Sequence, residues 1–174
     1  MQRFAWRGDA ENWTMTPTIA QLKAQFDAAV HTGIEPLLKQ SAAKYRLPLE
    51  FVLGIASRET GIRNIAGDGG HGRGVLQIDD RYHTIAATTN FLAHPEVLID
   101  YGCMMLADNL RLVQGRWPSF TSQQHLKITA ASYNAGMTGA SRGAVEGDAD
   151  KYTTGHDYGS DVVKRTALFA EILA

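Results

Sequence analysis

Three acids, Glu59, Asp68 and Asp79, bracket a stretch dense in glycine, in a setting where carboxyl groups can do acid/base work. An apolar run leads into Glu59 and stops at Gly61. Val52, Leu53, Ala56 and Glu59 recur at three- and four-residue steps, which is one face of a helix. A solvated acid is not normally placed on such a stripe. Burial disfavours the charged carboxylate and raises its pKa. A glutamic acid that keeps its proton near neutral pH can deliver it to a leaving group. Asp68 lies inside the glycine loop, and Asp79 ends a short β-like run, Val75 to Ile78.

Gly67, Gly69, Gly70, Gly72 and Gly74 free this loop to take positive φ and let a ligand approach the backbone. Spacing alone leaves two readings open, an acid/base site or a surface loop with solvated aspartates. A phosphate cradle fails: no Gly-Lys-Ser/Thr follows, and the strand–loop–helix order is missing. The six histidines include no i, i+4 pair and no Cys/His cluster. A zinc site on His71 and His83 is therefore disfavoured, and neither a metal nor a cofactor is expected.

The elements that must hold these acids follow from the same patterns. Pro48 suits the first turn of the Glu59 helix, because it lacks only an N–H that would be unpaired there. Thr16 as cap and Pro17 in the first turn predict an earlier helix start. Ile19, Leu22, Phe26 and Val30 form its apolar stripe, and Gly33 ends it. Ile34, Leu37, Leu38, Ala42 and Tyr45 give a second amphipathic helix. Residues 84–90 show no clear period. Pro95 opens the most apolar helix, with Val97, Leu98, Tyr101, Met104, Met105, Leu106, Leu110 and Val113 expected to be buried on most sides. Both methionines read as core filler. Trp117 and Phe120 are expected to pack where Gly115 to Pro118 breaks this helix. Thr121 with Gln124 fits a capping box, opening a helix read to end at Tyr133-Asn134. A short helix around 141–145 and a loop follow. Asp157 is expected to cap the last helix, whose apolar residues are Val162, Val163, Ala167, Phe169 and Ile172.

A chain of 174 residues is most simply one domain, here 16–174, with residues 1–15 as an arm pinned by Trp6 and Trp13. Basic and acidic residues nearly cancel, 17 against 18, so net charge points to no nucleic acid and no anionic polymer. Cys103 is the only cysteine, which excludes an intramolecular disulfide; in an apolar helix it reads as an inert core thiol. Met1 to Asp9 has no apolar core, so no signal peptide is expected. No apolar run reaches the ~18 residues of a membrane span.

Ser57-Arg58-Glu59, then Gly67-Asp68-x-Gly70-x-Gly72-x-Gly74-x-x-Gln77-x-Asp79-x-Arg81-x-His83, resembles the goose-type lysozymes, relatives of the soluble lytic transglycosylases. Two later blocks agree: Pro118 to Thr121 with Leu126-Lys127 and Ser132 to Gly136, and His156-Asp157-Tyr158 with Asp161 to Val163. The chain departs at Thr60, where the family usually has Ser, and its loop between Glu59 and Asp68 is shorter than in the bird enzymes.

The resemblance implies a mainly α, α+β lysozyme-like fold. It would be a helical bundle around a central apolar helix, with a hairpin or three-stranded sheet over 65–79. It implies a muramidase cleaving the β-1,4 bond between N-acetylmuramic acid and N-acetylglucosamine, with Glu59 as general acid. Asp79, helped by Asp68, would position the attacking water. Lytic transglycosylases generally lack that pair, so keeping it favours hydrolysis with inversion over 1,6-anhydromuramoyl products. An inverting site needs its carboxyl groups about 6.5–9.5 Å apart. Gln77, His83, Tyr133, Asn134 and Tyr158 become sugar-binding or positioning candidates, the Tyr158 phenol as a hydrogen-bond partner of Glu59. A sugar-binding module without turnover is the rival of another class. The expected partners are bacterial peptidoglycan and a proteinaceous inhibitor or immunity protein, with no nucleic acid, no membrane and a monomeric state. With no signal peptide in these residues, release by lysis, as for a phage endolysin, a dedicated export route, or secretion followed by trimming of a leader would bring the enzyme to the wall.

Overall fold

The computed structural model describes residues 16–174; the arm and its two tryptophans lie outside them. Seven α-helices and one small antiparallel sheet make up the described fold, which is the mainly helical class expected. The helices are α1 (Ile19–His31), α2 (Ile34–Tyr45), α3 (Leu49–Thr60), α4 (Thr84–Thr88), α5 (Pro95–Arg116), α6 (Ser122–Val145) and α7 (Tyr158–Leu173). The strands are β1 (Ala66–Gly67), β2 (Gly72–Arg73) and β3 (Ile78–Asp79).

The helix at the centre is α3, which carries Glu59. Phe51 through Ser57 are all buried, leaving almost no polar face. The expectation that the Pro95 helix would be the most enclosed is corrected. In α5, Leu98, Ile99, Gly102, Cys103, Leu106, Ala107 and Val113 face inward, while Leu112 is 60% exposed. A long helix on the outside of a domain needs only one apolar stripe. Met104 and Met105 are only half-buried; Met105 packs against the core as expected, while Met104 is not part of it. Cys103 is fully buried, and burial pushes its thiol up to about 12, which leaves it unreactive.

Gly54 lets α3 lie close against α7. A Cβ there would stand 2.9 Å from Thr166 Oγ1 and 3.1 Å from the Val162 carbonyl oxygen. This contact brings the start of α7 beside the end of α3.

Several helix ends differ from those read in the sequence. The first helix begins at Ile19, and Thr18 caps it: Gln21 N donates to Thr18 Oγ1 and Thr18 N donates to Gln21 Oε1. That reciprocal pair outweighs the Thr16-Pro17 signal. Thr16 instead donates to Asp161 Oδ1 at 2.7 Å. The Thr121–Gln124 capping box opens α6 as expected. That helix does not end at Asn134 but continues to Val145 through a kink at Gly136 (φ 73°), absorbing the separate helix expected at 141–145. Only glycine takes that conformation without penalty. Asp157 stands at the cap position of α7 but makes no capping hydrogen bond. Asp150, nearly fully buried, does this instead, accepting from Gly159 N at 2.6 Å and from Ser160 N at 2.9 Å.

Residues 84–90 contain the five-residue helix α4, too short to show a period. Trp117 and Phe120 stack, as expected, over a second, smaller core of Val113, Ile128, Ala131, Ala140 and Ala149. Among the described residues no helix is long and apolar enough to cross a membrane.

Candidate active site

The sheet is a device for aiming Asp79. Gly72 pairs with Gly67 on one side and with Asp79 on the other, and Arg73 pairs with Ala66 and Ile78. The chain thus folds back twice within a short span, bringing Asp68 and Asp79 onto one cleft. Two of the loop's left-handed residues are not glycines: Asp68 has φ 48° and Gln77 has φ 50°. Aspartate tolerates this region better than glutamine does. Gln77 is held there by its own amide, whose Nε2 donates to the carbonyl oxygens of Gly74 (2.7 Å) and Ile65 (3.1 Å).

One cleft is lined by Glu59, Asp68, Gly72, Gln77, Ile78, Asp79, His83, Met105, Tyr133 and Asn134. Seven of the eight residues singled out in the sequence are in this wall. Tyr158 is not. It is buried behind Glu59 as the first residue of α7, and its hydroxyl donates to Glu59 Oε1.

Burial pushes the Glu59 carboxyl up to about 7, against the opposing pull of the Tyr158 hydrogen bond and the Arg58 charge. Asp79 goes the other way. Burial would raise it, but hydrogen bonds and charge from Arg81 outweigh that and hold it below the ordinary carboxylate range. Arg81 N and Nε donate to Asp79 Oδ1 at 2.8 and 2.9 Å. Its Nη2 donates to Oδ2 of Asp79 and also to Oδ2 of Asp68, so one guanidinium joins the two acids. Carboxyl groups pushed apart in this way are how one site holds an acid and a base at the same pH.

The remaining wall residues are partly committed to the protein itself. Tyr133 OH donates to the Leu76 carbonyl oxygen at 2.7 Å, which leaves its ring as the surface for a ligand. Asn134 Oδ1 accepts from Thr154 N at 2.8 Å. His83 Nδ1 meets Tyr101 OH at 3.0 Å, and burial lowers its pKa against the pull of Asp79.

This geometry, with a family comparison, decides what the chain is. The family model described as Lysozyme g matches residues 17–172.

The chain belongs to the lysozyme g family.

Curated relatives agree. It is 37% identical over 152 residues to lysozyme g of Gallus gallus, covering 85% of this chain and 69% of that protein. It is 32% identical over 156 residues to lysozyme G of Dromaius novaehollandiae, covering 87% and 73%. Lysozyme g of Casuarius casuarius is 31% identical over 139 residues, covering 78% and 71%. As a lysozyme g family member the chain is a glycoside hydrolase.

Sequence reasoning missed three parts of this candidate site and its supports. Arg81 was visible only as a letter in a motif; its place two residues past Asp79 was the available signal. Met105 read as core, and besides packing against the core it lines the cleft. Asp150 lay in a stretch read as loop, with no periodicity to mark it. Among the described residues no three His, Cys, Asp or Glu side chains gather as a metal site would need.

Proposed function

We propose that this chain hydrolyses the β-1,4 bond between N-acetylmuramic acid and N-acetylglucosamine in peptidoglycan, with inversion. Glu59 gives its proton to the departing glycosidic oxygen. Asp79 accepts a proton from the water that attacks C1 from the opposite face, and Asp68 helps to hold that water. The Tyr133 ring, Asn134 and His83 contact the sugar. Gln77 acts indirectly by bracing the loop, and Tyr158 by holding Glu59.

The observation carrying this reading is the pairing of two unlike carboxyls on one cleft. Glu59 stays protonated up to about 7, while Asp79 is held ionised well below that. General acid catalysis wants the first and water activation wants the second. The Arg81 bridge supports a role for Asp68 beside Asp79.

Mass spectrometry of digested peptidoglycan tests the reading. Reducing N-acetylmuramic acid ends, lost in Glu59→Gln, are the expected result; reducing N-acetylglucosamine ends would refute cleavage at this bond. Ends carrying 1,6-anhydromuramic acid would replace hydrolysis by lytic transglycosylation. Unchanged lysis by a folded Glu59→Gln variant would remove Glu59 from the chemistry.

A further inference from the structure

Glu59 is followed into the interior by a chain of contacts that its chemistry does not require. The Tyr158 hydroxyl reaches it from the first residue of α7. Arg58, the residue before Glu59, reaches the same turn of α7 from α3. Its Nη2 donates to Asp157 Oδ1 at 3.0 Å, and its Nη1 donates to Asp161 Oδ2 at 2.9 Å. These two acids flank Tyr158 in the sequence, and the guanidinium carbon lies 5.5 Å from the centre of the Tyr158 ring. The Arg58 side chain is only 12% exposed.

Asp161 is itself fixed. Arg165, with no exposed surface, donates through Nε to Asp161 Oδ2 at 2.6 Å and through Nη1 to Ser57 Oγ at 2.8 Å. Ser57 Oγ in turn donates to Gln25 Oε1 at 2.6 Å. The end of α3 and the start of α7 are thus tied twice, by neighbouring residues Ser57 and Arg58, with α1 joined through Gln25. A planar guanidinium reaching two carboxylates fixes direction as well as distance, which a single ammonium does not.

We propose that Arg58 is a positioning residue for the reaction. It clamps the first turn of α7 through Asp157 and Asp161, so that the Tyr158 hydroxyl stays on Glu59 and the acid points into the cleft. The inference rests on the reading of Glu59 as the proton donor. It adds that the donor's aim is set from the side away from the substrate.

The test compares Arg58→Met, Arg58→Lys, Tyr158→Phe and the Arg58→Met/Tyr158→Phe double variant on soluble peptidoglycan fragments across pH. The groups facing Glu59 are Arg58 on its own helix, Tyr158 from α7 and Tyr133 from α6. Asp68, Asp79 and His83 share the cleft with it. Arg58 and Tyr158 both pull the Glu59 pKa down, so losing either moves the basic limb of the pH–rate profile to higher pH.

Arg58→Met lowers kcat by about tenfold to a hundredfold, the range in which a misaimed group costs rate, with KM changed by less than about twofold. Adding Tyr158→Phe to it costs little more, because both remove the same hydrogen bond. Arg58→Lys keeps the charge but not the fork, so it keeps the lowered kcat while its limb moves up by less than that of Arg58→Met. Independent losses that multiply in the double variant, or a folded Arg58→Met with wild-type kcat and limb, overturn the clamp. If Arg58→Met does not fold, Asp157→Asn on the half-exposed side of the clamp decides, with the same limb shift expected and an unchanged profile refuting it. A lytic Glu59→Gln variant would instead overturn the underlying reading, a result distinct from any of these.

Discussion

Arg81 grips both carboxylate oxygens of Asp79, with its backbone N–H and Nε on Oδ1 and its Nη2 on Oδ2. The same Nη2 holds Asp68, so the two acids proposed for the water side share one cation whose side chain is 42% exposed. A carboxylate in such a fork stays ionised to lower pH than a free one.

Arg81→Gln should therefore move the acid limb of the pH–rate profile upward. Asp79 loses the interactions that lower its pKa while keeping the burial that raises it. The water-side base is then protonated, and silent, at a pH where the parent still works. Rate profiles from pH 3 to 6 measure this; a limb that stays in place would show that Asp79 is not the group titrating.

Asp79→Asn should reduce kcat more than Asp68→Asn. Asp79 is buried on β3 and takes most of the Arg81 donors, whereas Asp68 takes one. Removing a general base typically costs about 10²–10⁴-fold. Equal, slight effects in both variants would argue against water activation by this pair.

Glu59 links activity to stability with the same preference in pH, since both favour the protonated acid. Its folded value, about 7, lies above the ordinary 4.5, so the folded state holds a proton that the unfolded chain has released between those two values. The parent should lose stability as pH rises from 4.5 to 7 and stay flat above, by on the order of 1–3 kcal/mol for a half-buried group. Glu59→Gln has no such proton. It should melt at a similar temperature to the parent at pH 4 and higher than the parent at pH 8, while losing lysis at both. Parallel melting curves across pH would mean that the carboxyl is not desolvated in the folded protein.

Gly54→Ala should destabilise, although alanine usually favours a helix over glycine by ~0.5–1 kcal/mol. Here the methyl group meets Thr166 Oγ1 and, behind it, a main-chain oxygen that cannot rotate away. Overpacking of this kind costs about 1–3 kcal/mol. A raised melting temperature would show that α3 and α7 can separate freely. Since that contact also seats Tyr158, kcat should fall with it.

The three acids stood in local patterns, a stripe and a glycine loop, whereas the cleft-wall residues were named only by the resemblance to the goose-type lysozymes. What stayed hidden was long-range. Asp150 and Asp157 are both acids near the start of α7, and nothing in their spacing says that the first caps it while the second meets Arg58 from another helix. The kink at Gly136 was read as a stop because glycine is the common residue just past a helix end; packing on both sides of the kink decided otherwise. Thr16-Pro17 lost to Thr18 because the reciprocal bond needs Gln21, three residues further on. Local signals marked the acids, and tertiary contacts chose among equally good ends and partners.

Tyr133 has one consequence for selectivity. With its phenol occupied by the Leu76 carbonyl, the residue meets a guest only as a flat plate, discriminating by contour. Replacing it with phenylalanine would leave that plate in place and slacken the segment leading into Asp79. The variant's signature would be a sluggish enzyme with undiminished grip.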